Sequence, residues 1–201
     1  FRREALLVVC LSWLVAGVLG ALPYLFDGVF SSPVDALFES ISGLTTTGAT
    51  VMSDLPSHVE SIGRQGAMSH ALHFWRCFTH WLGGMGIIVL FVAVFPQLGV
   101  GGKALFHSEV PGPITEGLRP KIRETSRTLY TIYIALTLAC VLLLMAAGMD
   151  GFNALCHGVS TLGTGGFSTL GDSIAGFQSV AVEGVIGVFM LLAGINFGLF
   201  Y

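Results

Sequence analysis

Charge is what this sequence has least of. Its 201 residues include 9 Lys and Arg and 12 Asp and Glu, 10% in all, against about a quarter in an ordinary soluble domain. So few charges cannot cover a globular surface. With so few basic residues and a formal net charge of −3, nothing suggests a nucleic-acid partner. Cysteine is sparse too. Cys10, Cys77, Cys140 and Cys156 lie far apart, with no C-x-x-C pair or metal-ligand spacing, and read as small apolar packing residues rather than disulfides or a metal site. No cleavable signal peptide is evident either. The first apolar run, from Ala5 to Phe26, is too long for a signal-peptide core and carries no A-x-A site. No nucleophile–base arrangement argues for catalysis.

Apolar residues, at 53%, come in blocks rather than at amphipathic spacing. Blocks at about 5–26, 71–98, 128–149 and 177–201 are each long enough to cross a hydrocarbon core as a helix. The chain opens at Phe1 without a Met and stops inside the fourth block, so both ends read as cut.

Between the first two blocks lies a short apolar segment, about 33–44, followed by the stretch 45–50 (Thr-Thr-Thr-Gly-Ala-Thr). Between the last two lies another, about 151–162, followed by 163–168 (Gly-Thr-Gly-Gly-Phe-Ser). Both are too short to span and too apolar for a free loop, which predicts re-entrant helices. Ser31 and Ser32 as cap candidates, Pro33 in the first turn and Asp35 near the positive end of the dipole mark the start of the first. The Gly–Thr tails predict irregular backbone, tolerated at membrane depth only where protein buries it or it lines a water-filled cavity. The two halves superpose without a gap. Asp35 falls on Asn153, Ala36 on Ala154, Leu37 on Leu155, Ser42 on Ser160, Leu44 on Leu162, Thr46 on Thr164 and Gly48 on Gly166.

Arg2, Arg3, Lys103, Arg119, Lys121, Arg123 and Arg127 fall on one side of this arrangement, and only Arg64 and Arg76 elsewhere. That side is expected to be cytoplasmic, so both short-helix-plus-strand units enter from outside. Lys121 and Arg123 either belong to a plain positive-inside loop or touch a regulatory partner.

A cation crossing a bilayer needs its hydration shell replaced, and rings of backbone carbonyls do this without fixed charge. Glycine permits the unusual backbone such a ring requires, and threonine adds a hydroxyl. Thr46, Thr47 and Gly48, with Thr164, Gly165 and Gly166, fit that need, and Thr–x–Gly repeats the spacing of the potassium-channel pattern T-V-G-Y-G. Alone, each cluster reads as a turn. Two in register, each between two spans and on one side, point to an ion filter.

Several residues allow two readings. Asp35 and Glu39 lie one turn apart and either attract cations and support the filter or act as cap and buried acid. Asn153 and His157 hold those places in the second half, so no ring of acids is implied. Arg76 either snorkels outward or pairs with an acid such as Glu39, and Glu183 is equally ambiguous. His70, His73 and His80 share helical spacing and allow an intramembrane metalloenzyme, although interfacial packing with Trp75 and Trp81 explains them better. Gly83, Gly84 and Gly86 suit close helix packing, not a phosphate loop.

The stretches 38–50 (FESISGLTTTGAT), 80–86 (HWLGGMG), 98–102 (LGVGG), 111–113 (PGP), 160–169 (STLGTGGFST) and 191–197 (LLAGINF) resemble the Trk/Ktr/HKT superfamily of potassium transporters, and its Trk-type membrane subunits in particular. The resemblance runs along essentially the whole chain. It implies an all-α integral membrane protein of potassium-channel-like repeats, each a span, re-entrant pore helix, filter strand and span. Two repeats are expected here, at 1–98 and 128–201, joined by a cytoplasmic linker at 99–127. The family has four repeats around one central pore, each with a filter glycine, which carries over to Gly48 and Gly166. The gating loop of the third repeat and a basic residue in the last span would lie outside this chain. The remaining repeats are expected in the same polypeptide, with pairing of two copies as the alternative. The implied activity is potassium uptake, by a symporter or a channel, with sodium or rubidium as lesser substrates. Potassium is the transported ion, held at the filter residues, and no cofactor or structural metal is implied. The implied setting is the bilayer of the bacterial inner membrane, as a homodimer seated on a cytosolic nucleotide-binding regulatory subunit. A non-conducting structural membrane subunit is the remaining alternative.

Overall fold

The computed structural model describes residues 2–52, 55, 68–98 and 118–195. The expectations attached to Arg64, Lys103 and the motif residues 99–102, 111–113 and 196–197 lie outside them. Among the described residues the chain is all helical apart from its connections. Three long helices, α1 (Arg2–Asp27), α3 (His70–Leu98) and α4 (Leu118–Ala146), and the shorter α6 (Val180–Gly194) surround two short ones, α2 (Pro33–Leu44) and α5 (Gly151–Leu162). The order is long, short, long, twice over, and a 3-10 turn (Ser173–Phe177) precedes α6.

The short helices begin in different ways. Ser32 caps α2 with its backbone alone, its carbonyl accepting from the Ala36 amide at 3.3 Å, and Pro33 supplies the first turn where its missing N–H costs nothing. Asp150 caps α5 with its side chain. Oδ1 accepts from the Phe152 and Asn153 amides, both at 3.1 Å, and Oδ2 from Asn153 Nδ2 at 2.5 Å.

Two of the helices differ in their bounds from the blocks read in the sequence. The third long helix starts at Leu118 rather than 128 and ends at Ala146 rather than 149. Its early start crosses residues expected to be linker, because Arg, Lys and Glu sustain a helix where hydropathy stops. Its early end has a local cause. Gly148 takes φ +96°, its amide bonds to the Met145 carbonyl at 3.0 Å, and the Met149 amide to that of Leu144 at 3.1 Å. This is a Schellman stop. The fourth long segment becomes α-helical only at Val180, not 177, because Gln178 adopts a left-handed conformation and Ser179 Oγ caps the Val182 amide.

The packing is apolar outward and polar inward. Leu7, Leu11, Leu14 and Val18 on α1, and Leu138 and Leu142 on α4, are each more than half exposed. Glu39, Arg76, His73, His80, Asn153 and His157 are buried. A soluble protein rarely presents apolar faces of this extent, whereas a bilayer favours them and pushes polar groups to the interior. Leu7–Asp27 and Ser126–Ala146 are long and apolar enough to cross a membrane.

Each half has its own apolar cluster. Ala21, Tyr24, Ala36, Met68 and Leu72 close the first, and Tyr133, Cys140, Leu144, Leu162 and Phe189 are prominent in the second. Cys77, Cys156, Val159 and Phe167 join α3 to α5 across the boundary. The two halves therefore meet along α3, and the segments following α2 and α5 are brought together there.

Candidate functional site

The chain leaves each short helix in the same way. The Thr45 amide bonds to the Ile41 carbonyl (2.8 Å), that of Thr46 to Gly43 (3.0 Å) and that of Thr47 to Ser42 (2.9 Å). After α5 the Gly163 amide bonds to Val159 (3.0 Å), Thr164 to Thr161 (3.0 Å) and Gly165 to Ser160 (3.1 Å). These are the same steps at equivalent positions. Thr46 and Thr164 both take φ +55°, and Gly48 and Gly166 take +73° and +86°. A left-handed threonine is costly and persists only where its surroundings fix it, so its occurrence twice in register marks one backbone design used twice.

This exit turns the strand amides back onto the helix. The carbonyls are left over. Among the described residues none of the carbonyls of Thr46, Thr47, Gly48, Thr164, Gly165 or Gly166 accepts a hydrogen bond. Backbone oxygens left this way need water or a cation as partner. The two strands also touch, since a Cβ at Gly48 would overlap the Gly165 carbonyl oxygen.

The strands are backed by side chains. Behind the first, Ser42 Oγ donates to the Ala49 carbonyl at 2.5 Å, and Glu39 accepts from Thr50 Oγ1 at 2.9 and 3.0 Å and from the Val51 amide at 3.1 Å. Behind the second, His157 Nε2 meets Ser168 Oγ at 3.0 Å, its Nδ1 meets the Asn153 carbonyl at 2.8 Å, and Thr169 Oγ1 donates to Asn153 Oδ1. Thr50 lies eleven residues beyond Glu39 and Ser168 eleven beyond His157. The two halves thus make the same side-chain contact with different chemistry. Asp35 is only half-buried.

Arg76 does not snorkel. Its buried Nε donates to Glu39 Oε1 at 2.6 Å. The three histidines do not assemble a metal site, and no group of His, Cys, Asp or Glu able to hold a metal occurs among the described residues. His70 packs edge-on against Phe152, whereas His80 stacks on Phe167 and meets Ser160 Oγ. Gly83 and Gly84 serve close packing. A Cβ at Gly83 would strike the Leu44 carbonyl oxygen, and one at Gly84 would come within 2.6 Å of the Tyr133 hydroxyl. The pairing of Arg76 with Glu39 is one of the two readings the sequence offered, whereas the roles of His80 and His157 as backing residues were not evident from it. The one available signal was that 39 and 157, like 50 and 168, coincide when the halves are superposed.

Comparison with known proteins agrees with this architecture. Residues 2–201 match the family model TrkH, described as a cation transport protein. The chain is 47% identical over 204 residues to the Trk system potassium uptake protein TrkH of Escherichia coli K12, covering 99% of this chain and 40% of that protein. It is 42% identical to TrkG of the same organism, covering 39% of it. The crystal structure of the potassium transporter TrkH from Vibrio parahaemolyticus superposes with a TM-score of 0.79 at 41% identity, covering 100% of this chain and 37% of that one. The chain thus spans about two fifths of the relatives it matches. This all-α, membrane-embedded chain belongs to the TrkH family of cation transport proteins.

Proposed function

We propose that this chain supplies two quadrants of a potassium-selective filter, with the carbonyls of Thr46, Thr47, Gly48, Thr164, Gly165 and Gly166 as ion ligands. The observation carrying this reading is that all six carbonyls lack a hydrogen-bond donor among the described residues, while their strands meet at Gly48 and Gly165. Carbonyl dipoles of this kind replace a hydration shell and release the ion again. The helices α2 and α5 act as pore helices, and the negative ends of their dipoles, toward the strands, favour a cation. Residues 1–98 and 128–201 are the two pore repeats. Glu39 supports the first strand from behind.

The substrate class is supported by the relatives named potassium uptake proteins. The remaining repeats belong to the same polypeptide, a multi-pass protein of the bacterial inner membrane. By family likeness it is a homodimer docked on a cytosolic nucleotide-binding regulatory subunit. The test is rubidium and sodium uptake by the full-length protein in cells lacking their own potassium uptake. Gly48→Ser and Gly166→Ser lower the preference for rubidium. Unchanged preference in both variants would instead support a structural subunit without a filter here.

A further inference from the structure

A buried ion pair, Arg76 with Glu39, lies outside the ligand set just described. Arg76 is 1% exposed. Its Nε reaches Glu39 Oε1 at 2.6 Å, its Nη1 donates to the Ser168 carbonyl at 2.8 Å, and its Cζ sits 3.7 Å over the Phe167 ring. Glu39 holds Thr50, the last residue of the first strand, and Val51 after it. Phe167 and Ser168 close the second strand. One guanidinium therefore ties together the ends of the two strands, from opposite halves of the chain.

The chemistry suits a spacer. A desolvated pair cannot lose one partner cheaply, because the other is left as a buried charge. The planar guanidinium fixes two acceptors at a set angle, which a lysine ammonium cannot do. Pairing with Glu39 also neutralises a positive charge that would otherwise oppose cations nearby. Ion selection depends on the number and arrangement of coordinating carbonyls, so whatever holds two strands at fixed separation acts on it.

We infer that Arg76, held by Glu39, is a positioning residue for ion selection, clamping the outer ends of the two strands at the spacing that distinguishes potassium from sodium. This rests on the filter reading above. The test measures rubidium and sodium uptake by the full-length protein, normalised to its abundance in the membrane, for wild type, Arg76→Lys, Glu39→Gln and Gly48→Ser. Arg76→Lys keeps the charge but loses the fork, and lowers the preference for rubidium roughly tenfold, as expected for one charge-assisted hydrogen bond. Glu39→Gln shifts it in the same direction. If Arg76→Lys retains wild-type preference while Gly48→Ser loses it, the clamp is refuted and the filter stands. If Gly48→Ser also retains it, the filter reading fails and the clamp with it. Failure of Arg76→Lys and Glu39→Gln to reach the membrane would also overturn the inference, assigning the pair to folding.

Discussion

The imidazole of His80 lies against the ring of Phe167, centroids 4.0 Å apart and planes 22° from parallel. The His80 imidazole occupies the space a side chain at Gly165 would need, since a Cβ there would overlap its Nδ1, Cγ and Cε1 atoms. His80 thus fills the back of the second strand, and the two positions are coupled.

Gly165→Ala is expected to displace that ring, at about 1–3 kcal/mol, the usual cost of overpacking. Rubidium uptake falls, and combining it with His80→Ala restores part of the loss. Wild-type uptake by Gly165→Ala alone would remove His80 from behind the strand.

Gly28 and Gly48 have nearly the same φ, +74° and +73°, but among the described residues nothing lies within 4 Å of a Cβ built at Gly28, whereas one at Gly48 meets the Gly165 carbonyl. Gly28→Ala isolates the conformational cost, about 1–2 kcal/mol. Gly48→Ala adds a backbone collision, so it costs more stability and lowers the preference for rubidium, as Gly48→Ser does. Thermal unfolding in detergent together with uptake separates them, and equal effects would argue against the contact between strands.

Asp150→Ala removes three hydrogen bonds at the start of α5 and is expected to cost about 1 kcal/mol. Ser32→Ala is near neutral, because Ser32 makes no side-chain cap bond. The check is the shift in unfolding temperature for each, and the ordering is what matters.

Ser168→Ala strips the partner from His157 Nε2 and the acceptor used by the Leu170 amide. Leaving a buried group unsatisfied costs about 1–3 kcal/mol. Thr50→Ala is milder, since Glu39 keeps Arg76 and the Val51 amide. Unfolding of the two variants side by side tests whether matching positions carry unequal weight; a larger loss for Thr50→Ala would contradict it.

Much of this was legible in the sequence, for identifiable reasons. The apolar runs set the long helices, and Pro33 with the Gly–Thr tails bounded the short helix between them. The unforced match of Thr46 and Gly48 with Thr164 and Gly166 pointed to a repeated strand. What stayed hidden depends on distant contacts. Arg76 chooses Glu39 over the membrane surface because Ser168, 92 positions away, supplies its second acceptor. His80 reads as an interfacial histidine until Phe167 and Ser160 are placed beside it. The start of the third long helix was missed because hydropathy records burial in lipid, while backbone hydrogen bonding continues into polar sequence.

The unlike pair Glu39 and His157, at matching positions, has an evolutionary reach. In a channel of identical subunits, any change behind the filter is applied to every wall at once, and most such changes are ruinous. With the two strands as proposed filter walls, a single codon alters one wall and leaves its neighbour intact, and ion preference drifts in small steps, one wall at a time.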